Sequence, residues 1–332
     1  MRLATRLVNA PWEDPALLVQ LEGQGLAWLV DCGTLTALRP RDLLRVDRVF
    51  LTHAHIDHFI GFDSLLRMHL GSSGTLSFYG PEGLTDHIRG RLAGYAWNLV
   101  EDSELVLEVC EILPHQVQWT RFACRRRFTA EPGPQQAHEG FLELPEGVIL
   151  RFAWMEHGVP CLAWVLEEPD THAVDPEALR AEGISPGPWL SELKQKAAAG
   201  QLSETIELGG RAVAVRDLAR RLLRLQPGRK LAYVTDTIFN KKTVAALKKV
   251  ARPVDELWCE ASYLHLQWDK ARANLHMTAR QAGRLASELE ASKLYLFHYS
   301  RRYQKDLAPH LAEAREVFPQ TLEPPRYGSS AS

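Results

Sequence analysis

The feature that most constrains this chain is the run His53-Ala54-His55-Ile56-Asp57-His58. It follows residues 48–52, Arg-Val-Phe-Leu-Thr, a short β-branched and apolar stretch that reads as a strand. Side chains two apart in extended backbone point the same way, so His53 and His55 can reach one metal ion together. Asp57 and His58 lie just past the strand on a turn, where they can face a second ion beside it. Imidazole and carboxylate ligands suit zinc, with manganese and iron as alternatives.

A two-metal site needs further ligands, and they belong at other strand ends. Three residues qualify. His157 follows an apolar strand pattern over 148–155, Asp236 one over 231–235, and His298 one over 294–297. Each alone would suit a surface or core position. As a set, each after an apolar strand, they complete the constellation.

The rest of the chain reads as alternating strands and helices. Strands are expected over 17–21, 27–31, 48–52 and 76–81, with helices over 62–70 and 83–98. Short strands dominate from about 105 to 166. Residues 169–229 hold Pro169, Pro176, Pro186, Pro188 and Pro227 and two charged helical stretches, and read as an arm or insertion. A strand (230–237), helix (241–250), strand (256–259), helix (278–290) and strand (293–297) follow. Strands at both ends with helices between predict two packed sheets with helices outside. The expectation is one α/β domain over 1–320, with 321–332 as a mobile tail.

Composition excludes several classes. With 332 residues, 45% hydrophobic and 24% charged, the chain can bury a sizeable core. A formal net charge of −2 is unlike a dedicated nucleic-acid-binding domain, so any such contact rests on local patches. Candidates are Arg125 to Arg127, Arg220 with Arg221 and Arg224, and Arg301 with Arg302. The five cysteines form no Cys-x-x-Cys pair, which argues against a disulfide framework or a thiolate zinc site and for a cytoplasmic location. No signal pattern and no apolar run of about 18 residues predicts export or a membrane span.

The order His-x-His-x-Asp-His, then a distant His, Asp and His, resembles the metallo-β-lactamase superfamily. That resemblance implies a four-layer αββα sandwich with metals at one edge. Within it, the chain is similar to ribonuclease Z, the tRNA 3′-processing endonuclease, and to related phosphodiesterases. The segments that carry the likeness span roughly 28–303. They include Val30-Asp31-Cys32-Gly33, Glu156-His157, Gly183-Ile184-Ser185-Pro186-Gly187-Pro188 and Tyr233-Val234-Thr235-Asp236-Thr237. Glu260-Ala261-Ser262-Tyr263, His276-Met277-Thr278-Ala279 and Phe297-His298-Tyr299-Ser300-Arg301-Arg302-Tyr303 complete them. Two departures stand out. Val8-Asn9-Ala10-Pro11-Trp12-Glu13 replaces the family's glycine-rich loop, and Ile56 stands where that family usually has glycine.

The resemblance implies roles. His53, His55 and His157 would hold one metal, Asp57, His58 and His298 the other, and Asp236 would bridge two Zn2+ ions. His276 would donate a proton to the leaving oxygen, oriented by Glu260. Asp57 would sit beside the attacking metal-bound hydroxide, since metal binding lowers the pKa of water toward about 7. The expected function is a metal-dependent phosphodiesterase, most specifically an endoribonuclease acting on tRNA precursor 3′ ends. One alternative is a hydrolase of the same fold acting on a cyclic nucleotide or other small phosphodiester. Another is a metal-containing RNA-binding protein without turnover. The family often dimerises, which makes a homodimer a further expectation.

Overall fold

The structure is a computed structural model that describes residues 2–328. Its chain divides into two compact units, one running up to Glu167 and resuming at Lys230, the other Glu168–Arg229.

The larger unit is built on two sheets. The first has eight strands lying in chain order: β1 (Leu3–Leu7), β2 (Leu17–Leu21), β3 (Ala27–Val30), β4 (Val46–Phe50), β5 (Gly74–Pro81), β6 (Leu105–Ile112), β7 (Gln116–Ala123) and β8 (Ala130–Ala137). Its centre, β3 to β6, is parallel, and its flanks are antiparallel. Helices α1 (Pro40–Leu43), α2 (Ile56–Phe59), α3 (Phe62–His69) and α4 (Leu84–Ala93) lie in its connections. The helix expected over 83–98 is shorter. It stops at Gly94, and Trp97 beyond it stacks on Phe128 with ring centroids 4.7 Å apart.

The second sheet contains β9 (Phe141–Glu143), β10 (Ile149–Glu156) and β11 (Pro160–Glu167). The smaller unit interrupts the chain here with β12 (Thr171–Val174), α5 (Pro176–Ala181), α6 (Trp189–Ala198), β13 (Thr205–Leu208), β14 (Arg211–Ala214), α7 (Val215–Leu222) and β15 (Leu223–Gln226). The second sheet then resumes with β16 (Lys230–Val234), β17 (Glu256–Glu260), β18 (Lys293–Phe297) and β19 (Thr321–Leu322), in the order β19-β18-β17-β16-β11-β10-β9. Its helices are α8 (Lys241–Ala251), α9 (Trp268–Ala273), α10 (Ala279–Glu288) and α11 (Ala308–Arg315).

Alternation along the strands explains the layering. Successive side chains of a strand face opposite ways. On β4 Phe50 joins Trp28, Trp164 and Trp258 in the core between the sheets, while Val49 faces Phe62 and Leu66 of α3. On β18 Tyr295 and Phe297 point to the shared core, while Leu294 and Leu296 pack with Leu285 and Ala286 of α10. The central strands of both sheets are therefore buried on both faces, as parallel strands covered by helices require, while the edge strands β8 and β9 are largely exposed. The result is the αββα sandwich.

The smaller unit has its own core of Leu179, Leu193, Ile206, Val215, Leu218 and Leu222. It holds three helices and two antiparallel strand pairs, β12 with β15 and β13 with β14. Residues 321–328, expected as a tail, carry β19 and a bridge to the first strand: the Leu7 amide donates to the Pro325 carbonyl at 2.8 Å. The remaining tail residues, 329–332, lie outside the described residues.

Candidate metal centre

The strand ends that sequence analysis singled out converge. His53 follows β4 by three residues, His157 follows β10, Asp236 follows β16 and His298 follows β18. Two groups of ligand atoms come within 4.8 Å of one another: His53, His55, His157 and Asp236 in one, Asp57, His58 and His298 in the other. A third grouping overlaps them with Asp236, Glu260, His276 and His298. All nine predicted site residues thus gather at one place.

Hydrogen bonds fix which nitrogens face inward. His58 Nδ1 donates to Asp31 Oδ2 at 2.8 Å, and His157 Nδ1 to the Leu275 carbonyl at 3.2 Å. Thr52 Oγ1 spends its proton on Asp31 Oδ1 at 2.9 Å, so it accepts from His53 Nδ1 at 3.0 Å. Each ring therefore carries a proton on Nδ1 and turns Nε2 inward, the nitrogen that a metal ion would engage. These three Nε2 atoms lie 3.5, 3.4 and 3.3 Å from Asp236 Oδ2, for His53, His58 and His157 respectively. Nε2 of His53 and of His58 are buried without a hydrogen-bond partner. Ring nitrogens turned on a buried carboxylate oxygen need positive charge among them, as protons or as a bound cation. The donor set fits a divalent metal.

The second group is arranged similarly. Asp57 Oδ2 lies 3.4 Å from His298 Nε2 and 3.6 Å from His58 Nε2, and His298 Nδ1 lies 3.1 Å from Asp236 Oδ1. Thr235 Oγ1 donates to Asp236 Oδ1 at 2.8 Å. Asp236, at 2% exposure, touches residues of both groups. Asp31, Asp236 and His298 all have positive φ, 57°, 47° and 56°. Non-glycine residues rarely adopt that region, and such strain concentrates at functional sites.

Electrostatics follow from burial. Desolvation, reinforced by His58, pushes His53 down to about 2, so it stays neutral as a ligand must. Burial alone would lower His58, but the carboxylates of Asp31 and Asp236 outweigh it and carry its pKa well above the ordinary histidine range, so a metal ion bound there would take the place of its Nε2 proton. Burial would raise Asp236, yet His298 and His58 hold it well below the carboxylate range. Asp57 is likewise lowered against its burial by the hydrogen bond to His298.

Beside the centre stands the pair that resemblance singled out. His276 Nδ1 lies 2.8 Å from Glu260 Oε2, leaving Nε2 free to act. Glu260 is fully buried at the end of β17 and accepts from the Thr237 amide and Ser262 Oγ, each at 2.8 Å. Burial works against protonation of His276, but Glu260 prevails and the imidazole rises to about 9. A cavity of about 310 Å3 opens on Asp57, His276 and His298.

Asp31, Thr52 and Ser262 were not among the predicted site residues. The strand-end segment Val30-Asp31-Cys32-Gly33 was the available signal for Asp31. Thr52 and Ser262 adjoin predicted residues, touching His53 and Glu260, but their links to Asp31 and to the His298 carbonyl join positions distant in sequence.

The chain is similar to known proteins in sequence and in fold. Residues 25–179 match the family described as beta-lactamase superfamily domain. Ribonuclease Z of Deinococcus radiodurans is 32% identical over 325 residues, covering 96% of each chain. Ribonuclease Z of Treponema denticola is 29% identical, covering 92% of this chain and 88% of its own. Among solved structures, the metallo-beta-lactamase fold protein YhfI from Bacillus subtilis has a TM-score of 0.58 at 15% identity, over 97% of this chain and 96% of that one. The short form of human tRNase Z has a TM-score of 0.51 at 18% identity, with the same coverage. Fold and centre define a metal-dependent hydrolase of the metallo-β-lactamase type. Within that class, the chain belongs to the ribonuclease Z family.

Proposed function

We propose that the chain is a two-metal phosphodiesterase that cleaves RNA at the 3′ ends of tRNA precursors. The observation that carries this reading is the His276–Glu260 pair, a proton donor beside the ligand cluster but outside its two principal groups. His53, His55 and His157 would hold one zinc ion, Asp57, His58 and His298 the other, and Asp236 would serve both. Bound ions supply Lewis acidity toward a phosphoryl oxygen and make water acidic.

The chain's own residues do the rest. The raised pKa of His276 keeps its imidazolium form through neutral pH, so Nε2 can give a proton to the departing oxygen. Glu260 holds Nδ1 and stabilises that charge. The Asp57 carboxylate stays ionised and can orient a water by accepting its hydrogen bond. The Ribonuclease Z relatives support an RNA substrate. Five buried free thiols suit a reducing cytoplasm, and among the described residues no helix is long and apolar enough to cross a membrane. A homodimer is part of this reading, checked by sedimentation.

Incubation with a trailer-bearing tRNA precursor and zinc or manganese tests the assignment. Cleavage at the base of the trailer is expected; none with either metal overturns it. A second reading, a small-phosphodiester hydrolase, is favoured by one observation. Residues 168–229 carry nine acidic and nine basic side chains, so that unit has no net positive charge for RNA. Efficient hydrolysis of a small diester by a protein that neither cuts nor binds the precursor would decide for it.

A further inference from the structure

We propose that Arg301 and the cavity behind its ion pair with Asp14 form a subsite for the nucleotide flanking the scissile phosphodiester. The proposal rests on the phosphodiesterase reading above and adds a substrate contact to it.

Two cavities meet at this pair. One, of about 310 Å3, opens on Asp57, His276 and His298. Its neighbour, of about 640 Å3, is lined among others by Asn9, Thr34, Thr36 and Tyr327. Glu13, Asp14 and Arg301 line both, so they form the wall between them. The larger volume falls within the ~300–1,000 Å3 of ordinary ligand sites.

The wall is rigid on one side and loose on the other. Arg301 Nη2 donates to Asp14 Oδ1 at 3.0 Å. Asp14 is held in place: its Oδ2 accepts from Thr34 Oγ1 at 2.9 Å and its backbone carbonyl from Asn9 Nδ2 at 2.6 Å. The Asp14 side chain is 23% exposed, that of Arg301 75%. The loops are also tied through the backbone, the Tyr299 amide donating to the Pro11 carbonyl at 2.9 Å. Arg301, three residues beyond His298, thus carries a largely exposed guanidinium whose side-chain partner is Asp14.

Chemistry selects the occupant. A guanidinium has five donors in a plane, and a phosphate can take two of them at once. An exposed ion pair is weak, so a substrate phosphate can replace Asp14 at little cost. In the larger cavity the carboxylates of Glu13 and Asp14 are balanced by Arg301 and Arg326, so its lining carries no net charge. Those carboxylates and the hydroxyls of Thr34 and Thr36 suit the N–H and O–H groups of a nucleoside. The phosphate thus sits on Arg301 at the wall, its nucleoside lies beyond, and the scissile diester remains on the side of His276.

The test compares wild type, Arg301→Gln and Asp14→Asn on a tRNA precursor and on bis(p-nitrophenyl) phosphate, which has one phosphate and no flanking nucleotide. Arg301→Gln should raise KM for the precursor about tenfold, and by clearly more than for the small diester. Its log KM should depend less steeply on log salt, by about 0.7–0.9 for one lost phosphate contact. Metal-free Arg301→Gln protein should bind the precursor more weakly by a similar factor. Asp14→Asn, which frees the guanidinium, should lower KM for the precursor. Equal effects of Arg301→Gln on both substrates, or an unchanged salt slope, would overturn the subsite while leaving the phosphodiesterase reading intact. A wild type that hydrolyses the diester but ignores the precursor removes the RNA reading and this subsite with it.

Discussion

Asp31 accepts three donors, the Thr52 amide, Thr52 Oγ1 and His58 Nδ1, at 2.8, 2.9 and 2.8 Å. It is fully buried, and these donors supply the hydrogen bonds that water cannot reach it to make. Through Thr52 it also sets the tautomer of His53. One carboxylate thereby aims a histidine of each proposed metal group. Partners of this kind are worth about 10–100-fold in metal affinity. Asp31→Asn should weaken binding of the second ion by that order in a competition titration with a chelating dye. Asn tolerates the positive φ of this position, so the fold should persist. Unchanged affinity would remove Asp31 from the centre. His276→Ala makes the complementary prediction. Metal content should stay at the wild-type value while turnover falls by about 10²–10⁴-fold, the usual contribution of a general acid. Lost metal in that variant would reassign His276 as a ligand, consistent with the third ligand grouping.

Elements, rather than single residues, bring the ligands together, and α2 depends on an unusually close approach. The Cys32 amide donates to the His58 carbonyl at 2.8 Å and the Gly61 amide to the Cys32 carbonyl at 2.9 Å, clasping α2 to the end of β3. A Cβ on Gly61 would fall 2.1 Å from the Gly33 carbonyl oxygen and 2.8 Å from Leu35. Because the first obstacle is backbone, Gly61→Ala should cost at least about 1–3 kcal/mol, read as a lower urea midpoint, and should loosen metal binding. Wild-type stability would show that α2 can move freely. The ligand-bearing strand ends were legible in the sequence because apolar, β-branched runs stop at polar turns. The terminus of α4 was not, since the apolar pattern ran on through Trp97, a residue that packs on Phe128 instead of extending the helix. Nor was the pairing of β12 with β15, which joins Thr171 to Gln226 across a whole subdomain. The hairpin of β13 and β14 had a local signal, Gly209-Gly210, both with positive φ in a two-residue turn. The roles of Asp31 and Thr52 depend on β3 and β4 pairing side by side, a tertiary fact without local periodicity.

On the scale of the whole molecule, residues 168–229 leave and rejoin the larger unit at one point of its sheet. Glu167 ends β11, Lys230 begins β16, and the two are register partners in an antiparallel pair. The smaller unit also buries its own apolar residues, with Val215, Leu218 and Leu222 of α7 turned inward and Arg216 and Arg220 exposed. A chain lacking it therefore needs only a tight turn to close β11 onto β16. Replacing residues 168–229 with Asn-Gly, the sequence that favours a two-residue hairpin, should give a folded, metal-binding protein. It should hydrolyse bis(p-nitrophenyl) phosphate at a rate of the same order as the full chain, because every proposed ligand, with Glu260 and His276, lies outside the excised residues. Cleavage of the tRNA precursor should be lost if that unit is the RNA-binding arm, its exposed arginines acting locally despite a net charge of zero. Retained cleavage with unchanged KM would leave RNA recognition to the larger unit, where Arg301 is the cation nearest the centre that the proposed subsite employs.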